Sequence, residues 1–263
     1  LSTSADGRRL LATVVRQVST LWRLPVTNGV TDESSATRIA LPTTAARSPR
    51  YGPGYLLYVS SKRGQEGIWK LAGGDATELW SRPKTRFVGA PAISPDGRHV
   101  AFTAERNGES RLHVMGADGS GARMLASALE VHGSPTWAHD GQSIAVSALE
   151  EGEPRIFKLP LDGRAPVQLV HHYATEPNWS PTGAFLVYAG PQVGVNFDVR
   201  AVTADGKPHA LPQLTLTRGA ERMAILRDGK AMVVLRGEIG NRNLVVFDLE
   251  SGVERKLTSF GPD

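Results

Sequence analysis

Seven side chains in this sequence have the chemistry to hold a charged ligand together: Arg47, Arg86, Arg218, Glu130, Glu176, His132 and Tyr173. Three guanidiniums, two carboxylates, an imidazole and a phenol suit charge-assisted hydrogen bonding to an anionic or peptide-like molecule. The competing assignment is that these charges neutralise one another and bind ordered water. Catalytic and metal chemistries find less support. The chain has no cysteine, which removes thiolate ligands, a thiol nucleophile and disulfides. His171-His172 is the one histidine pair, and neighbours on a strand point to opposite faces, so they make a poor metal clamp. No Gly-x-Ser-x-Gly elbow occurs, and the glycine-rich stretches at Gly52 and Gly190 precede no helical pattern, so neither is a phosphate loop. The expected site is therefore a binding site, with no catalytic residue, no metal and no cofactor.

Residues so far apart in sequence need a scaffold that gathers them, and a repeat supplies it. A turn glycine recurs at Gly7, Gly54, Gly97, Gly141, Gly183 and Gly229, at intervals of about 42–47 residues. A second follows each, about 20–23 residues on, at Gly29, Gly74, Gly119, Gly163, Gly206 and Gly252. The clearest copy contains Ser94-Pro95-Asp96-Gly97, then His99 to Phe102, then Arg111 to Met115, then Asp118-Gly119: short β-type runs between Asp-Gly turns. Runs such as Tyr55-Leu-Leu-Tyr-Val and Phe185-Leu-Val-Tyr-Ala are apolar without alternation, which suits strands buried on both faces. No stretch keeps a helical period, so almost no helix is expected. The pattern predicts an all-β fold, a six-bladed β-propeller of four-stranded antiparallel blades. The expected blades are approximately 1–41, 46–81, 89–127, 132–170, 176–214 and 219–258, in one domain over 1–263.

In such a meander the first and third turns share one face, and here they are the tight Asp-Gly turns. The longer second loops and the inter-blade connections share the other face, where Arg47, Arg86, Glu130, His132, Tyr173, Glu176 and Arg218 would ring the mouth of a central channel.

The wording of the first turn adds a family. Ser94-Pro-Asp-Gly is echoed by Ala138-His-Asp-Gly, Ser180-Pro-Thr-Gly, Ser4-Ala-Asp-Gly and Leu226-Arg-Asp-Gly, with Trp137 and Trp179 before two of them. This resembles the TolB-type, WD-repeat-like β-propeller repeat of bacterial proteins, over essentially the whole chain. Such repeats occur in TolB itself, in the propellers of prolyl-oligopeptidase-type enzymes, and behind kinase or winged-helix domains. The resemblance implies a non-catalytic interaction module for a protein or peptide partner, or for a small anionic ligand, in the periplasm or another extracytoplasmic compartment. A ligand-sensing domain attached to a kinase or transcriptional regulator is the first alternative, and the propeller of a peptidase or lyase the second.

Bulk properties agree with a soluble monomer. The formal net charge is +4 and the basic residues are interspersed with acids, so a nucleic-acid partner is not expected. No run approaches the roughly 20 apolar residues that span a bilayer, so no membrane insertion is expected. Leu1-Ser-Thr-Ser enters a turn directly and Phe260-Gly-Pro-Asp follows an outer strand, so the chain is expected to be a piece of a longer protein, with a seventh copy conceivable beyond Asp263.

Overall fold

A computed structural model describes residues 2–3, 10–11, 19–26, 29–43, 45–62, 64–194, 196–217, 222–237 and 242–261. Five antiparallel sheets follow one another along it. Blade I comprises Ala46–Gly52, Tyr55–Lys62, Gln65–Ala72 and Asp75–Ser81, paired in chain order. In blade II the inner strand is broken into Thr85–Phe87 and Ala92–Ile93, both paired to His99–Arg106; Glu109–Gly116 and Arg123–Leu125 complete the sheet. Blade III is Val131–Trp137, Ser143–Glu150, Glu153–Pro160 and Val167–Val170. Blade IV is Thr175–Trp179, Leu186–Val193 and Asn196–Val202, with an outer strand split into Pro208–His209 and Thr215–Leu216. Blade V is Met223–Ile225, Ala231–Arg236, Asn243–Asp248 and Glu254–Lys256.

The propeller thus has five blades, and the expectation of six is corrected. Where a sixth four-stranded sheet was expected, the described residues form two separate two-residue pairings, Ser2–Thr3 with Leu10–Leu11 and Trp22–Arg23 with Thr37–Arg38. The physical reason is a shortage of strand-forming sequence. The inner run Leu1-Ser-Thr-Ser is mostly polar, and the span Asn28 to Thr37 holds few apolar residues. Within that span Asp32 caps a single 3-10 turn, Glu33–Ser35, instead of a strand. Gly7, the first of the expected rim glycines, lies outside the described residues.

Residues 19–41 nevertheless have a place. Leu21 packs with Leu56, Tyr58 and Trp69 on the outer face of blade I. Thr31 lies parallel to Thr258, receiving Ser259 N–H on its carbonyl at 3.1 Å and donating its own N–H to Leu257 O at 2.7 Å. The segment therefore straps blade I to blade V.

Alternation along each second strand explains how the blades cohere. Leu57 and Val59 join Phe87, Val100 and Phe102 in the layer between blades I and II, while Leu56 and Tyr58 turn the other way. Phe102 faces blade I and its neighbour Ala101 faces blade III, with Leu112, Trp137 and Val146. The layers between successive blades are hydrophobic clusters of this kind.

The inner strands are free sheet edges, and their sequence manages that liability. Pro49, Pro135 and Pro177 lie within them, and Pro91 just before Ala92–Ile93. A proline presents no N–H to the channel, so it removes a donor that would otherwise be unpaired. Each of these strands, or the turn leading into it, also contains a left-handed residue: Ser48, Gly89, Gly133 and Glu176. In blades I, III and IV that residue falls in a register shift, so the strand kinks and re-aims its side chains.

Candidate functional site

A cavity of about 630 Å³ runs along the axis on the side of the tight turns, and all five inner strands line it. Blade I supplies Arg50 and Tyr51, blade III Thr136 and His139, blade IV Glu176 and Asn178, and blade V Arg227. Its apolar wall comes largely from Ile93, Pro95, Pro135, Pro177, Pro181 and Met223. Tyr51 is 70% exposed, a large aromatic face offered to solvent.

Its rim is built by turns that lock into one another. A Cβ at Gly97 would stand 2.6 Å from Pro53 Cγ, one at Gly183 3.0 Å from His139 Cβ, and one at Gly229 2.9 Å from Thr182 Cγ2. Each turn thus seats against the glycine of the next blade, and Tyr55 Oη adds a 2.9 Å hydrogen bond to Gly97 O. The Asp-Gly aspartates serve their own turns: Asp96 accepts from Ser94 Oγ at 2.5 Å and Arg98 N at 3.0 Å, and Asp140, Asp162 and Asp228 accept from the backbone two residues on. Those bonds hold the Asp96 carboxyl below the usual carboxylate range. Asp205, bonded to Lys207 and Thr203, is lowered to about 2.

Inner strands are also cross-linked through polar groups. Ala90 N donates to Ser134 Oγ at 2.8 Å, Trp137 Nε1 to Ala92 O at 3.0 Å, Trp179 N to Thr136 Oγ1 at 3.1 Å, and Asn178 Nδ2 to Met223 O at 3.3 Å. These bonds tie blades II, III, IV and V in series around the axis.

The residues singled out from sequence are distributed differently. Arg47 Nη2 grips both Glu66 oxygens, at 2.8 and 3.0 Å, and donates to Phe87 O at 3.2 Å. Glu66 in turn accepts Phe87 N at 2.9 Å, so this pair clamps blade I to blade II. Arg86, exposed, meets Glu105 at 2.5 Å. Glu130 and His132 approach each other at 3.3 Å. Tyr173 is half-buried. Arg218 lies outside the described residues. Of the six that are described, only Glu176 lines the axial cavity.

Glu176 is engaged by Arg222, a residue the sequence reading missed. Arg222 Nη2 lies 2.9 Å from Glu176 Oε1, Nη1 donates to Thr217 O, and the guanidinium stacks over Phe197 at 4.8 Å. At 3% exposure it is a buried cation between blades IV and V. A signal existed: Arg222 stands seven before Gly229, as Arg47 does before Gly54 and Glu176 before Gly183. Arg50, His139 and Arg227 were missed because that end of the repeat was read as turn grammar alone. Among the described residues, no group of three or more histidines or acids is placed to hold a metal ion.

Five sheets on an axis, with Asp-Gly turns between their strands, define a propeller of the TolB kind. The chain belongs to the TolB beta propeller domain family, whose model matches residues 43–260. It is 38% identical over 73 residues to the Tol-Pal system protein TolB of Anaeromyxobacter dehalogenans (strain 2CP-C), a match covering 27% of this chain and 16% of that protein. The crystal structure of TolB from Acinetobacter baumannii superposes with a TM-score of 0.68 at 18% identity, over 86% of this chain and 60% of that one. An oligogalacturonate lyase in complex with manganese superposes at 0.61 and 15% identity, over 85% of this chain and 68% of that one. At such identities the likeness is one of fold.

Proposed function

We propose that this chain is a non-catalytic recognition module that receives a carboxylate-bearing peptide or protein segment in its axial cavity. The lining supports this reading. Arg50 and Arg227 provide cationic donors, His139 and Asn178 polar ones, and Tyr51 and the proline wall a rigid apolar surface. The hydroxyls of the lining make hydrogen bonds within the scaffold: Ser134 accepts from Ala90 N, Thr136 from Trp179 N, and Ser180 Oγ lies 2.8 Å from Thr182 Oγ1. Arg47 and Arg86, which do not line this cavity, and Glu176, which does, are committed to ion pairs, which makes these three side chains scaffold in this reading. Likeness to a Tol-Pal system protein supports a protein partner and an extracytoplasmic setting.

The test is calorimetry with peptides ending in a free carboxylate against the same peptides amidated. Each charge-assisted bond is worth roughly 1.5–3 kcal/mol. Arg50→Ala with Arg227→Ala should therefore weaken free-carboxylate peptides at least about tenfold, while Arg86→Ala leaves them unchanged. Equal affinity for amidated peptides, or insensitivity to the double change, refutes the reading.

A further inference from the structure

A second cavity, of about 380 Å³, opens away from the axis between blades I and II. Its walls are the end of blade I's outer strand, with Trp80 and Arg82, and the face of blade II, with Arg106, Arg111, His113 and Met124. Trp80 is buried and forms an aromatic floor with Phe102 and His113, whose rings lie 4.8 and 5.8 Å away. Arg82 lies over the Trp80 ring at 5.7 Å. Arg111 reaches Glu109 at 3.3 Å, but Arg82 and Arg106 meet no carboxylate among the described residues. Two exposed guanidiniums beside an aromatic floor make a surface for an oxyanion, and a planar fork is the group best shaped for one.

His113 adds a second requirement. Its ring stacks on Phe102 at 5.3 Å and 11°, and burial, with Arg82 nearby, lowers its pKa, so the neutral imidazole is favoured. Its Nδ1 lies 3.2 Å from Arg111 O, a carbonyl that can only accept, so Nδ1 holds the proton. Nε2 is left as an acceptor with no protein partner among the described residues. An acceptor beside two cations complements a molecule with both a hydroxyl and an oxyanion. Met124, 48% exposed, and Trp80 offer apolar contact for its carbon frame.

We propose that the cavity between blades I and II binds a hydroxylated organic anion of the sugar-acid or sugar-phosphate type, separately from the axial site. The oxyanion sits on Arg82 and Arg106, a hydroxyl donates to His113 Nε2, and the ring lies against Trp80.

Four probes test this by calorimetry: glucuronate, glucose 6-phosphate, glucose and inorganic phosphate. At least one of the first two should bind more tightly than glucose and inorganic phosphate, and which one binds identifies the oxyanion. Arg82→Gln with Arg106→Gln should weaken that probe at least about tenfold, the equivalent of one charge-assisted bond. Arg50→Ala with Arg227→Ala, at the axial site, should leave it unchanged, so failure here and failure of the peptide reading can be told apart. Should the double variant fail to fold, Arg106→Gln alone serves, since that side chain is exposed. His113→Phe, which keeps the stack and removes the acceptor, should weaken the sugar anion and leave inorganic phosphate unaffected. No binding by either sugar anion, equal binding of inorganic phosphate, or loss of binding only in the axial variant overturns the proposal.

Discussion

The buried ion pair at the seam of blades IV and V makes the sharpest prediction. Among the described residues Arg222 has one carboxylate partner, Glu176, at 2.9 Å, and its other neighbours include Thr217 O and the Phe197 ring. Glu176→Ala strips a 3%-exposed guanidinium of its counter-charge. Leaving one member of a buried pair alone costs about 3–5 kcal/mol, and at about 2–4 °C per kcal/mol for a chain near this size the melting point should fall by about 6–20 °C. A second effect runs the other way. Glu176 sits at φ +53, where a side chain costs about 1–2 kcal/mol relative to glycine, so Glu176→Gly should melt above Glu176→Ala despite removing the same carboxylate. Arg222→Met should be milder than Glu176→Ala, because Glu176 retains some solvent. Adding Glu176→Ala to Arg222→Met should then change little, giving a large coupling energy in a double-mutant cycle. Differential scanning calorimetry on the parent and the four variants decides it. A Glu176→Ala variant melting within about 2 °C of the parent would show that Arg222 is hydrated and that the pair does not hold the seam.

Gly97→Val should destabilise by about 1–3 kcal/mol or more, since it forces a β-branched residue to φ +73 with its Cβ against Pro53, while Arg98→Ala should stay within about 0.5 kcal/mol; urea denaturation separates the two. Two acid-induced losses should appear in melting curves recorded against pH. The folded state lowers the pKa of His113, so the unfolded chain takes up that proton first and stability falls as pH drops below about 6.5; His113→Phe should remove this step. Turn carboxylates with lowered pKa values, Asp96 and Asp205 among them, stabilise above about 4 and lose that contribution as pH falls toward about 2. A flat profile across either window contradicts the corresponding assignment.

The blade was legible in sequence because its signals are local. Asp96-Gly97 makes a turn wherever it stands, and Val100 to Ala104 fits a strand buried on both faces. The number of blades was not, because it depends on whether a weak copy can pair. The run Leu10 to Val15 looks like a strand alone, yet its described part, Leu10–Leu11, pairs with Ser2–Thr3 in a sheet separate from Trp22–Arg23 and Thr37–Arg38. The candidate site divided in the same way. Reading Arg47 and Glu176 as residues near the axis followed from their place in the connections between blades. Their partners, Glu66 and Arg222, are chosen by cross-strand and cross-blade proximity, which spacing does not display. Pro95, His139 and Arg227 occupy one repeat position with three different chemistries, and a reading that treated the position as turn grammar passed over the side chains that face the cavity.

The strap through Thr31 has a kinetic meaning. Within every blade, contacts join strands a few residues apart, so each sheet can form soon after its own segment collapses. The bond from Thr31 N to Leu257 O instead closes a loop of more than two hundred residues, and the entropy of closing it is met only once the intervening blades stand in place. Thr31 therefore couples last on folding. Because two backbone hydrogen bonds join it to blade V's end among the described residues, the same latch should be the first to release, opening the circle between blades I and V while each sheet remains whole.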